Sequence, residues 1–214
     1  MPNHVKNIIE SSEVVIQSLL NDEGFVDFNN VLKMPEILEN TASGSITPHA
    51  KGVFKGVITE EYLLKNEYTQ KQVAEIMLSV QAKKETGYYN WYEWKIKNWD
   101  TKWNAYDQAL EKNTPTSVTF DTAWAHPLKI IEALSLKFPD EKITAKFADE
   151  DLGSNCGTYT IQNGNMLEQD IAPSWSEQSE QDKKKWTAFA FKIKHPDEDP
   201  KEYGYDDNWD YIDD

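Results

Sequence analysis

The segment Asn90–Asn104 reads Asn-Trp-Tyr-Glu-Trp-Lys-Ile-Lys-Asn-Trp-Asp-Thr-Lys-Trp-Asn, and four indole rings in fifteen residues cannot all be left in water. A second aromatic block, Phe120-Asp121-Thr122-Ala123-Trp124-Ala125-His126-Pro127, follows it. The chain must therefore build a packed interior around large rings. Its 214 residues are enough to do so without disulfides or metal. Cys156 is the single cysteine, so no internal disulfide can form, which fits a reducing compartment.

Charge narrows the function classes. The net value is −15, and every basic residue is a lysine. Arginine is the preferred residue for bidentate contact with phosphate or guanine, so an arginine-free acidic chain is poorly suited to grip nucleic acid directly. It is better suited to meet a basic surface on another protein. The charge is also uneven: Pro196–Asp214 holds nine acids against Lys201, a net −8, leaving −7 for everything before it. No apolar run approaches the ~20 residues of a membrane span, and no basic-then-apolar leader opens the chain. The expectation is a soluble protein of the cytoplasm with no membrane partner and no cofactor.

Along the chain, His4–Ile9 reads as a strand. A helix is predicted from Ser11-Ser12-Glu13, with Val14, Val15, Ser18 and Leu19 at helical spacing and Asp22-Glu23-Gly24 as its stop. Phe25–Phe28 is then predicted as a second strand, a β-α-β opening. Asn40–Pro48 reads as a polar loop. Helical pattern occupies about 59–98, with starts at Thr59 and at the capping-box-like Thr69-Gln70-Lys71-Gln72, and with Val73, Ile76, Met77 and Val80 inward. Lys102–Leu110 and Ser117–Trp124 are expected to form a hairpin about Asn113-Thr114-Pro115. Pro127 opens a helix that buries Leu128, Ile131, Leu134 and Leu136. Ile143–Phe147 and Thr158–Ile161 read as strands, the latter closing at Asn163-Gly164. Alternation of Phe189, Phe191 and Ile193 predicts a last strand.

Several words in the chain resemble the YubB-type ferredoxin-like domain family of phage, prophage and plasmid proteins. They are Met1-Pro2-Asn3-His4-Val5, Met34-Pro35-Glu36, Gly87, Asn90-Trp91-Tyr92-Glu93-Trp94 and Asn98-Trp99-Asp100-Thr101-Lys102-Trp103. Further matches are Phe120–Trp124, Phe138-Pro139 and Ala148–Gly153, so the resemblance runs over roughly residues 1 to 164. It implies an α+β, ferredoxin-like α/β sandwich, an antiparallel sheet with helices on one face. In domain terms, 1–195 is a single domain with a helical insertion at about 59–98, and 196–214 is an acidic aromatic tail. The name denotes topology only, since one cysteine cannot hold an iron–sulfur cluster. Where the family usually has glycine this chain has Asp100, and the tail lies outside the resemblance. The resemblance carries no catalytic residues.

Candidate functional residues fall into two groups. Asp121, His126, Asp149, Glu150 and Asp151 form the one cluster with acid–base or hard-cation character, against the plain reading of solvated strand-end acids. In the tail, Tyr203, Tyr205, Asp206, Asp207, Trp209, Asp210, Tyr211, Asp213 and Asp214 interleave rings with carboxylates. A helical tail would bring Asp206, Asp210, Asp213 and Asp214 near one face. The tryptophan block is either a ligand-stacking platform or, as the plainer reading, packing by Trp99, Trp103 and Trp124. His4, His49, His126 and His195 are too scattered for a zinc motif, Cys156 reads as a structural thiol, and Lys183-Lys184-Lys185 as a solvated helix face.

The expected function is that of a mobile-element accessory protein that is not an enzyme. It would bind and inhibit a host protein with a basic, nucleic-acid-binding surface, as in defence or nucleic-acid handling. Its acids would imitate a nucleic-acid backbone. The alternatives are a self-associating binding module paired through a sheet edge, with undetermined oligomeric state, and a small metal-binding or hydrolytic enzyme using the Asp121 cluster.

Overall fold

The computed structural model of the protein describes residues 2–66 and 68–212. The chain divides into two compact units, Met1–Leu32 with Asp100–Asp214, and Lys33–Trp99. The first is built on five strands: β1 (His4–Glu10), β2 (Ser117–Ala123), β3 (Ile143–Asp149), β4 (Cys156–Gln162) and β5 (Asn165–Ile171). They form one sheet in the order β2-β1-β3-β4-β5 with every pairing antiparallel. The α+β, ferredoxin-like expectation holds.

β1 lies inside the sheet, between β2 and β3, and its alternation is the most regular. Val5, Asn7 and Ile9 are buried on one face, while His4, Lys6, Ile8 and Glu10 lie on the other. On the first face, helix α7 (Leu128–Lys137) packs near β4. Helix α1 (Glu13–Leu19) buries Val15, Ile16 and Leu19; the predicted Val14 is 55% exposed. In α7, Ile130 is buried rather than Leu136, which is 60% exposed beside the Gly164 turn.

Three predicted strands are absent. Phe25–Phe28 makes a single bridge, Leu20↔Val26, and runs into a short 3-10 helix capped by the Asp27 carboxylate, which accepts from Asn29 N. Lys102–Leu110 likewise makes one bridge, Tyr106↔Asp121. Side-chain amides replace the missing ladder between these segments. Gln108 Oε1 accepts from Val26 N at 2.7 Å, Gln108 Nε2 donates to Val26 O at 3.0 Å, and Asn104 Oδ1 accepts from Phe28 N at 2.9 Å. With the backbone so satisfied, neither segment needs a strand partner.

The predicted last strand is instead helix α8 (Glu180–Lys194), started by a capping box between Ser179 and Asp182. Its Trp186, Ala190 and Ile193 pack with Ile8, Ala148 and Cys156 on the second face of the sheet, so helices cover both faces rather than the one face expected. The strand that the pattern missed is β5. It follows the Asn163-Gly164 turn, and all seven of its residues are exposed, so it carries no apolar alternation to read.

The second unit is helical and starts earlier than the expected 59–98. Helix α2 (Glu36–Glu39) ends just before the predicted loop and α3 (Ile46–Phe54) takes only its last three residues, followed by α4 (Glu60–Lys65), α5 (Gln70–Thr86) and α6 (Trp91–Trp99). Thr59 and Thr69 cap α4 and α5 as expected, and Gly87 ends α5 at φ +85°. Its core is Ala50, Leu63, Val73, Ile76, Val80 and Tyr89. Trp94 and Trp99 are buried edge to face, with centroids 5.4 Å apart.

Asp100 adopts φ +63°, the left-handed region that glycine favours. Its carboxylate compensates by accepting from Lys129 N at 3.1 Å and from Lys129 Nζ at 2.6 Å, a use that glycine could not serve.

Gly157 allows β5 to lie tightly on β4, since a Cβ there would sit 2.8 Å from the Asp170 carbonyl oxygen and from Ile171 Cα. Gly157→Ala is expected to destabilise the protein by about 1–3 kcal/mol, measured by urea denaturation.

Candidate functional site

Strand register decides what the acid cluster can do. Asp121 stands opposite Lys6, on the α8 face of the sheet, whereas Asp149 stands opposite Val5, on the other face. His126 belongs to the Asp149 side, where its ring stacks on Phe147 with centroids 4.5 Å apart. The predicted cluster therefore does not converge. Asp149 organises its own loop, accepting from Asn3 Nδ2, Asp151 N and Asn155 Nδ2, while Glu150 and Asp151 are exposed. Among the described residues, no group of His, Cys, Asp and Glu is placed to hold a metal ion.

His126 is a core residue. Its Nδ1 lies 2.8 Å from Asn7 Oδ1, and its Nε2 lies 2.6 Å from the Tyr159 hydroxyl. Asn7 Nδ2 donates to Val5 O and Thr122 Oγ1, so Asn7 Oδ1 is the acceptor, Nδ1 carries the proton, and Nε2 accepts from Tyr159. Burial holds the imidazole neutral, with its pKa lowered to about 3. Burial likewise pushes the Cys156 thiol up to about 12, leaving it unreactive.

Asp121 is different in kind. It is 5% exposed, and its Oδ1 has no hydrogen-bond partner among the described residues. Burial raises its pKa against the opposing charges of Lys194 and Lys6. Around it stand Lys194, whose Nζ donates to His4 O at 2.9 Å, and Tyr106, whose hydroxyl lies 2.8 Å from His4 Nδ1. Burial lowers the Lys194 pKa and, together with Asp121, raises that of Tyr106 to about 12.

The tryptophans expected to pack divide between core and surface. Trp99 is core, but Trp103 and Trp124 are 36% and 42% exposed, so the expectation that they pack inside fails. Lys102 Nζ sits between them, 4.9 Å from each ring centroid, a cation–π clamp at the surface.

The tail is not a helix. After a 3-10 turn at Pro200–Tyr203 it doubles back, with Tyr205↔Tyr211 bridged and Ile212 N donating to Gly204 O at 2.7 Å. Phe191, which the strand reading concealed, anchors it: the ring meets Tyr203 at 5.2 Å, Trp209 at 5.5 Å and Tyr205 at 6.5 Å between centroids. His195 adds a contact to Tyr203 at 4.5 Å. The rings thus face the fold, although Tyr211 remains 68% exposed.

The tail acids divide by role. Asp199 accepts from Lys201 N and Asp206 from Asn208 N and Asp210 N, shaping the turns. Those bonds hold the Asp206 carboxyl below its ordinary value and so keep it ionised. Asp210 pairs with Lys184 at 2.7 Å and Asp207 with Lys201 at 2.9 Å. Asp213 and Asp214 lie outside the described residues. The Lys183-Lys184-Lys185 run is on a helix face as expected, and it pairs with Glu180, Asp210 and Asp170 in turn.

Residues 98–190 match the family model described as a ferredoxin-like domain in Api92-like protein. No curated protein matches the chain. Among solved structures the chain is similar to the crystal structure of a protein Api92 from Yersinia pseudotuberculosis. The identity is 10% and the TM-score 0.38, with 81% of this chain and 99% of that chain covered. The family match supports the ferredoxin-like domain, and it says nothing of the expected phage or plasmid setting.

Two variants test the protonation states. Stability from a neutral buried His126 is present above its ordinary pKa of 6.5 and is lost as pH falls toward 3. Wild type should therefore lose ground to His126→Gln by about 1.4 kcal/mol per pH unit below 6.5. Asp121 has the opposite sign: the favourable neutral form is complete below its ordinary 3.8 and is lost as pH rises through the raised value. Asp121→Asn should gain on wild type as pH rises from 4 to 7. Denaturation curves across pH 4 to 8 check both. Phe191→Ala is expected to cost about 3 kcal/mol and to make the tail susceptible to limited proteolysis.

Proposed function

We propose that the protein is a binding module, not a catalyst, whose acidic surface engages a basic, nucleic-acid-binding surface on another protein. The observation that carries this reading is the folded tail. Phe191 and His195 hold its rings, so its carboxylates are set at defined positions rather than carried on a loose chain. Preorganised charge complements a basic groove at less entropic cost than a flexible tail, and it speeds encounter. Asp121 and His126 face opposite sides of the sheet, which removes the arrangement on which the hydrolytic alternative rested. A mobile-element setting follows from the sequence resemblance alone.

Removing the tail would uncover Phe191, so charge is the cleaner variable. Glu202→Gln with Asp207→Asn removes two carboxylates that are outside the turn-shaping bonds. Affinity capture from bacterial lysate should retain DNA- or RNA-binding proteins on the wild type and release them with salt or competing DNA. The double variant should retain less. Capture that ignores both the substitutions and competing DNA would overturn the reading.

A further inference from the structure

We infer that the outer edge of β5 accepts an extended, lysine- or arginine-bearing strand of the partner protein; this rests on the proposed engagement of a basic partner and gives it a location. β5 ends the sheet, and all seven of its residues are exposed. Ala172 N donates inward to Cys156 O, and strand alternation therefore turns the N–H and C=O of Ile171 and Gln169 outward. No proline and no lysine lies between Asn165 and Ile171, so two common devices for blocking an edge are absent.

The side chains give that edge a polarity. A bulge opposite Thr160 and Ile161 makes Leu167 the extra residue. As a result Glu168 and Asp170 pair with Thr160 and Thr158 on the α8 face, while Met166 and Ile171 pair with Ile161 and Gly157 on the other. Met166 is 39% and Ile171 41% exposed. Asp170 is already met by Lys185 at 2.8 Å, whereas Glu168 has no partner among the described residues. An incoming strand would thus place a basic residue beside Glu168 and apolar residues beside Met166 and Ile171.

The same charges reject a second copy of the chain. Antiparallel self-pairing centred anywhere from Glu168 to Asp170 sets carboxylates of the two copies directly opposite, which is unfavourable. The acids repel a second copy and attract a basic strand. Backbone hydrogen bonds would supply the affinity and alternate side chains the selectivity.

A synthetic nine-residue peptide alternating lysine with valine is the probe, read by calorimetry and by amide exchange on the full chain. The expected result is binding that slows exchange at Gln169 and Ile171. Glu168→Lys should weaken it by about tenfold. Gln169→Pro removes only an outward donor, which an edge strand tolerates, and should abolish binding while leaving Tm nearly unchanged. A peptide with alternate amides methylated should not bind, and Glu202→Gln with Asp207→Asn should change nothing. No binding of the probe to wild type, or binding indifferent to Gln169→Pro and to amide methylation, would overturn the strand proposal. In the latter case, loss on Glu202→Gln with Asp207→Asn would leave the broader acidic-surface reading standing.

Discussion

The buried chain of hydrogen bonds from Asn7 through His126 to Tyr159 is the interaction on which the sheet unit depends. Asn7 sits on the interior strand β1, His126 just before α7, and Tyr159 on β4, so three distant parts of the chain meet in one polar thread. Each group is satisfied, and each would be costly to leave unpaired in a dry interior. Asn7 also bonds Thr122 on β2, so the thread ties β1 to its neighbour. A one-residue slip would bring Asn7 out of this interior and Lys6 in, which is a strong reason for a single register.

α8 then organises what the protein presents. One side closes the second face of the sheet through Trp186, Ala190 and Ile193. Phe191 holds the tail, and Lys184 and Lys185 bond to Asp210 of the tail and Asp170 of β5. Surface pairs of this kind contribute little stability individually, since water screens them. Their consequence is positional: they leave some acids partnered, such as Asp170 and Asp210, and others, such as Glu168, without a counter-charge among the described residues. The aromatic packing on Phe191, not the ion pairs, gives the tail its shape.

The readings that succeeded were local. Thr59 and Thr69 form caps from residues three apart, and β1 shows its alternation in seven consecutive residues. The readings that failed needed distant partners. Phe189, Phe191 and Ile193 alternate like a strand, yet Ser179-Glu180-Gln181-Asp182 begins a helix in which Ile193 faces the sheet and Phe191 the tail. That capping box was visible and would have corrected the reading. Phe25–Phe28 had no such signal, because the groups that satisfy it are Asn104 and Gln108, more than seventy residues away. β5 was hidden because an exposed edge strand needs no apolar face.

Of the candidate site, the sequence by itself determined the ingredients: the acids, the lysines, the absence of arginine, and the rings placed among the tail carboxylates. Composition is fixed residue by residue and does not depend on folding. Only the tertiary structure decided which of those groups share a face. Asp121 and His126 are five positions apart in the chain, yet pairing across β1 puts one on the α8 face of the sheet and the other in the core on the opposite face. The tail rings, interleaved with the carboxylates in sequence, turn inward because Phe191 offers them an apolar surface. Both outcomes follow from non-local pairing, whose energy belongs to contacts that no stretch of sequence contains.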